Sequence, residues 1–240
     1  MRIRSYFTAL VVILDTIVAG TLVIVSGFFD LTGGIYDLIS IAWSSIIFFA
    51  AGIKVTIEGL EHLDKGTSYI FMSNHLSHLD TPAFMAKLPF KIRFFTKKEL
   101  LNIPIFGQAI YMGKHIIIDR KNTEKAKRSI NEAKKRIKKY GFSVLVFPEG
   151  TRSKTGKMGE FKKGGFVLAI ETGIPIAPIE ISGSFELLPA HTLLIKSGAI
   201  HIKVGKPIPV DSYAIEKKQE LMDKVRSEIE QLGMGGNTVV

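Results

Sequence analysis

Cysteine is absent from this chain. That gap excludes disulfides, thiolate-ligated zinc and a cysteine nucleophile. No G-x-S-x-G nucleophile elbow occurs either, so the sequence offers no motif for a covalent acyl-enzyme of the hydrolase kind. A P-loop is missing too: the run Gly159-Glu160-Phe161-Lys162-Lys163-Gly164-Gly165 lacks the Lys-Ser/Thr pair after its second glycine. There is no internal repeat and no low-complexity tract. Acidic residues are few, 22 against 32 Lys and Arg, a net charge of +10. The imbalance is uneven. Residues 1–53 carry only Arg2, Arg4, Asp15, Asp30 and Asp37, which leaves +11 on residues 54–240. A body this basic favours an anionic partner: nucleic acid, an acidic membrane surface or a phosphorylated substrate. At 240 residues the chain has room for one substantial core and an appendage.

The appendage is hydrophobic. Tyr6 to Phe29 is apolar apart from Thr8, Asp15, Thr16, Thr21 and Ser26; Leu38 to Ile53 is broken only by Ser40, Ser44 and Ser45. As helices these runs reach ~35 Å and ~24 Å, against a hydrocarbon core of ~30 Å. Asp15, midway along the first run, is costly in lipid unless paired or hydrated. Arg2 and Arg4 precede the pair and Lys54 follows it, while Asp30 and Asp37 sit in and just after the connection. Residues 1–53 are therefore expected to form a membrane-associating helical hairpin, with both ends and the body that follows on the cytoplasmic side of the cytoplasmic membrane. Spanning the bilayer and dipping into one leaflet both fit.

Residues 54–240 alternate short apolar runs with helical patterns. Val55–Glu58, Tyr69–Ser73, Ile92–Thr96, His115–Asp119, Phe142–Phe147, Pro175–Ile181 and His191–Val204 (two strands around Ser197-Gly198) read as strands. Thr81–Lys87, Ile105–Met112, Thr123–Tyr140, Gly165–Thr172 and Ser212–Leu232 read as helices, with a frayed tail from Gly233. Several strand runs are apolar throughout, as strands covered on both faces are. The class is α/β, a mostly parallel or mixed sheet flanked by helices. The basic helix 123–140 carries Ile130 and Ile137 on a core-facing stripe, and no aromatic residues interleave its lysines, so base stacking is not served. It reads as a solvated face or as a surface for acidic headgroups; no nucleic-acid reader motif is present.

Two segments carry chemistry. Asn74-His75-Leu76-Ser77-His78-Leu79-Asp80 places an imidazole and a carboxylate five residues apart where an apolar run stops. On an ideal helix they would lie ~140° apart, so they meet only if the chain bends between them. In that case His75 is a general base, oriented by Asp80, for a substrate hydroxyl. The alternative is that Asp80, followed by Thr81-Pro82, merely caps a helix. His75 and His78 lack a third ligand at usable spacing, so no metal site is expected. The second segment, Phe147-Pro148-Glu149-Gly150-Thr151-Arg152-Ser153, closes an interior strand at the sheet edge where α/β proteins bind ligands. Arg152 can grip a phosphate through two parallel donors, and amides near Gly150 can add more or steady an oxyanion. Asp119-Arg120 ends another strand, as a further polar cluster or as a surface turn.

Taken in order, these blocks resemble the glycerolipid acyltransferase family of bacterial lysophosphatidic acid acyltransferases. The family mark is N-H-x-x-x-x-D followed by F-P-E-G-T-R-S, matched at 74–80 and 147–153. Lys97-Lys98-Glu99-Leu100 with Ile103-Pro104-Ile105-Phe106-Gly107 and Gly113 to Arg120 resembles the second block, and Ile174-Pro175-Ile176-Ala177-Pro178 the fourth. The similarity covers about residues 50 to 205. It implies a glycerol-3-phosphate acyltransferase-like fold and transfer of a fatty acyl group from acyl-CoA or acyl carrier protein to the sn-2 hydroxyl of 1-acylglycerol-3-phosphate. His75 would be the base and Asp80 its orienting partner. Arg120, Glu149, Gly150, Thr151 and Arg152, helped by Lys97 and Lys98, would bind the phosphate. No cofactor or metal is implied; the thioester is a substrate. Partners would be the phospholipid bilayer and the two substrates. Glycerol-3-phosphate or another lysophospholipid is the rival acceptor, and a non-catalytic membrane scaffold the rival from a different class.

Overall fold

The computed structural model describes residues 2–30, 32–118, 123–189, 192 and 194–235. Two long apolar helices, α1 (Arg2–Gly27) and α2 (Gly34–Ala51), lead into an alternating domain. Its elements are β1 (Ile53–Glu58), β2 (Ile70–Ser73), α3 (Asp80–Lys87), β3 (Ile92–Lys97), α4 (Phe106–Met112), β4 (Ile116–Ile118), α5 (Thr123–Tyr140) and β5 (Ser143–Val146). Then follow α6 (Gly164–Thr172), β6 (Ile176–Ser182), α7 (Ser184–Leu187), β7 (Gly198–Val204) and α8 (Lys218–Met234).

The strands form one seven-stranded sheet in the order β1-β7-β6-β2-β5-β3-β4. Among the described residues the β6–β7 pairing is the one antiparallel pairing between these strands, so the sheet is mixed. Strands β2 and β5 are buried at every position, because alternate side chains enter cores on opposite faces. Phe71 and Leu145 join Phe84 of α3 and Phe48 and Ala51 of α2 on one face. Ile70, Met72, Val144 and Val146 meet Ala133 and Ile137 of α5, Phe166 of α6 and Val225 of α8 on the other. Among the described residues of 191–204, the expected pair of strands is one strand, Gly198–Val204; Leu194 to Ser197 have no regular structure. The last helix starts later than expected, at Lys218, and runs through Gly233 to Met234.

Polar groups seat the hairpin. Buried Arg93 of β3 pairs with Asp37 of α2 at 2.5 Å and donates to the Gly33 carbonyl. Asp30 accepts the backbone amides of Gly33, Gly34, Ile35 and Tyr36, which satisfies the open N-terminus of α2. The Phe94 amide donates to His115 Nδ1 at 3.0 Å, so the ring proton sits on Nε2, 2.5 Å from the Tyr36 hydroxyl. Burial, then Arg93, pushes the His115 pKa down to about 3. The unfolded chain binds this proton near pH ~6.5 and the folded chain refuses it, so stability is lost as the pH falls from there towards 3. Thermal unfolding in detergent should therefore come at lower temperature at pH ~5 than at pH ~7, and His115→Gln should flatten that dependence. A midpoint equal at both pH values in the wild type contradicts it.

Candidate active site

Residues 74–79 form no helix; they turn back on themselves between β2 and α3. Asn74 anchors the turn. Its side-chain amide donates to the Ile181 carbonyl and its Oδ1 accepts the Ile181 amide, at 2.8 and 2.9 Å, as a strand neighbour would. The bend brings His75 Nδ1 to 2.8 Å from Asp80 Oδ2. The same oxygen accepts the amides of Leu76 and Ser77, at 2.6 and 2.8 Å. Asp80 thus binds amides that precede it in the chain, and the position before α3 has no side-chain cap.

A carboxylate receiving backbone donors is an acceptor, so Nδ1 of His75 carries the hydrogen and Nε2 is left as the basic nitrogen. The imidazole is 17% exposed and stacks on Phe147, ring centres 3.8 Å apart. Its main chain is tied to the second motif at both ends: the Ser153 amide donates to the His75 carbonyl at 2.7 Å. The His75 amide donates to Glu149 Oε1 at 2.9 Å.

Glu149, expected in a phosphate cradle, has its carboxylate oxygens on backbone amides. It is buried, 6% exposed, and its other oxygen accepts the Gly159 amide at 2.7 Å. Burial raises its pKa above the ordinary carboxylate range, against the pull of those two amides. Gly150, at φ 74°, folds its amide onto the Phe147 carbonyl at 3.0 Å, so its role begins with the turn.

A cavity of about 870 Å³ opens beside His75. Its polar end is lined by Lys97, His78, Gly150, Thr151, Arg152 and Lys154. Partial burial, then Arg152 and His75, lowers the pKa of His78. Lys98 is exposed and does not line the cavity. Arg120, with Asp119, lies outside the described residues. Lys154 was not anticipated; it follows the recognised motif by one residue. The apolar end is walled by Val12, Gly20 and Val23 of α1, Ile39, Trp43 and Ile47 of α2, and Ile103 and Ile110 around α4. Among the described residues no three His, Asp or Glu side chains are grouped to hold a metal.

A family model described as Acyltransferase matches residues 54–182. A human 1-acyl-sn-glycerol-3-phosphate acyltransferase alpha is 33% identical over 197 residues, covering 79% of this chain and 70% of its own length. The chain belongs to the acyltransferase family. A coconut (Cocos nucifera) 1-acyl-sn-glycerol-3-phosphate acyltransferase is also 33% identical, over 182 residues and 76% of this chain. This acyltransferase spans 58% of that relative's length and 60% of a Limnanthes douglasii relative of the same name. The crystal structure of the 1-acyl-sn-glycerophosphate (LPA) acyltransferase PlsC from Thermotoga maritima aligns with a TM-score of 0.82. The alignment covers 99% of this chain and 97% of that one, at 22% identity, and establishes the shared fold.

Proposed function

We propose that this protein transfers a fatty acyl group from acyl-CoA or acyl carrier protein to the sn-2 hydroxyl of 1-acylglycerol-3-phosphate, giving phosphatidic acid. The observation that carries the reading is an oriented base between a cationic rim and an apolar channel: His75, held by Asp80 at 2.8 Å, lines one cavity with Arg152, Lys97 and the apolar hairpin residues. His75 Nε2 takes the hydroxyl proton as the oxygen attacks the thioester carbonyl. Collapse of the tetrahedral adduct breaks the carbon–sulfur bond, and the imidazolium returns the proton to the departing thiolate. The thioester is consumed as a substrate, and the step draws on no cofactor. Arg152, with Thr151, Lys97 and Lys154, receives the phosphate, and Glu149 braces the backbone that carries the base.

The division into a hairpin, 1–53, and a catalytic body, 54–240, goes with membrane attachment. Helix α1 exposes Tyr6, Leu10, Ile13, Leu14, Ile17, Val18 and Val25 along one side. Its opposite side meets α2 through Thr8 and Trp43–Thr16, and α4 at Gly20 and Gly27. A helix resting on protein along its length suits a hairpin lying in one leaflet better than one crossing the bilayer. Acyl chains then reach the apolar end of the cavity without leaving lipid. Changing Leu14 and Val18 to lysine should release the protein from vesicles of neutral and acidic phospholipids while preserving the fold. Undiminished co-flotation of that variant would remove the one-leaflet reading.

Purified protein should acylate lysophosphatidic acid with labelled acyl-CoA far faster than glycerol-3-phosphate or lysophosphatidylcholine. In Arg152→Ala the KM for lysophosphatidic acid should rise by about tenfold or more, the scale of a lost charge-assisted bond. An unaltered KM and kcat would place the phosphate elsewhere, and equal rates on the three acceptors would overturn the acceptor assignment.

A further inference from the structure

Asp80 is fully buried, and its two oxygens are used unequally. Oδ2 receives the His75 ring proton and two backbone amides. Oδ1 receives one donor, the hydroxyl of Ser184 at 2.5 Å. Ser184 is itself 0% exposed, stands 104 residues further along the chain, and lies past residue 182, where the family match ends. The backbone builds this approach. Gly183 has φ 82°, and a Cβ there would run into the Ala199 carbonyl of β7. Only glycine makes that turn without strain, and the turn delivers Ser184 at the start of α7. The same segment tethers the catalytic bend a second time, where the Ser77 hydroxyl donates to the Leu188 carbonyl at 2.8 Å.

We propose that Ser184 is a positioning residue for acyl transfer, acting through Asp80 on His75. The inference rests on the proposed role of His75 as base and adds the group that holds its partner. The Ser184 hydroxyl stops the carboxylate from turning about its Cβ–Cγ bond, so Oδ2 stays in line with Nδ1–H and Nε2 stays aimed at the cavity. Without it, Oδ1 is a buried charged oxygen with no donor. The carboxylate then tilts and the imidazole loosens.

The test uses the full-length protein in micelles with labelled acyl-CoA and lysophosphatidic acid. Ser184→Ala should lower kcat about tenfold, the factor for one weakened charged hydrogen bond, with the acceptor KM near wild type. A lost positioning contact lowers kcat alone, whereas a displaced acceptor site would raise KM. The other charged or titratable groups facing His75, namely Glu149, His78 and Arg152, are left in place. Ser184→Cys keeps the volume but donates weakly, and should resemble alanine. Wild-type kcat in either variant overturns the proposal. So does a fall in kcat that only tracks the folded fraction, measured by thermal unfolding. If the wild type acylates no lysophospholipid, the parent reading fails and takes Ser184's role with it. An active wild type with an indifferent Ser184→Ala sinks the positioning role alone.

Discussion

Replacing His75 with alanine should abolish acyl transfer to within the background of the assay, a loss of at least ~10²–10⁴ in kcat, the scale of a positioned general base. The fold should survive. The imidazole is partly exposed at the cavity, and Asp80 keeps three of its four donors, the amides of Leu76 and Ser77 and the Ser184 hydroxyl. No buried charge is orphaned, so the unfolding midpoint should move little and vesicle binding should be unchanged. The measurement is turnover of labelled acyl-CoA at saturating lysophosphatidic acid, beside a thermal melt of the same preparation. Near-normal turnover would falsify the assignment of the base.

Glu149→Gln should be more damaging than an isosteric change usually is. The carboxylate takes two backbone amides, from His75 and Gly159, one on each oxygen. A glutamine amide offers one oxygen and one NH₂ group. Whichever way it turns, a donor faces a donor in a site that is 6% exposed. The expected cost is about 2–3 kcal/mol of stability, the penalty for a buried group left unsatisfied. Catalysis should fall by about 10²-fold, because a base shifted by ~1 Å loses that much. The pattern separates two roles for this residue. A brace under His75 lowers kcat and the unfolding midpoint with the acceptor KM held. A residue touching the phosphate raises KM with the midpoint unchanged, and that result would restore Glu149 to the cradle.

The His75–Asp80 contact was readable because its members lie five residues apart. One bend satisfies the geometry, and a strand end followed by Asp80-Thr81-Pro82 marks where the bend falls. The sheet was readable because β2 and β5 are apolar on both faces, a pattern that follows from burial between two helical layers. The two strands expected across 191–204 reduce to one. Thr192, Leu194 and Ile195 suit a strand by local composition. In the folded chain the Lys196 amide instead bonds the Leu187 carbonyl, and regular pairing with β1 begins only at Gly198. The backbone partners of Glu149 were not legible in the sequence, because the amides of His75 and Gly159 lie 74 and 10 residues away.

Composition and local spacing by themselves determined the apolar hairpin, the alternating domain, the absence of a covalent thiol route and the candidate His75–Asp80 pair, since each depends on neighbours within a few residues. Tertiary structure decided which oxygen of Asp80 meets which donor, that a serine from beyond β6 steadies it, and that the hairpin walls the same cavity as Arg152. Those contacts join segments up to 104 residues apart. Backbone amides and hydroxyls are present at almost every position of a chain, so only the completed fold selects the few that count.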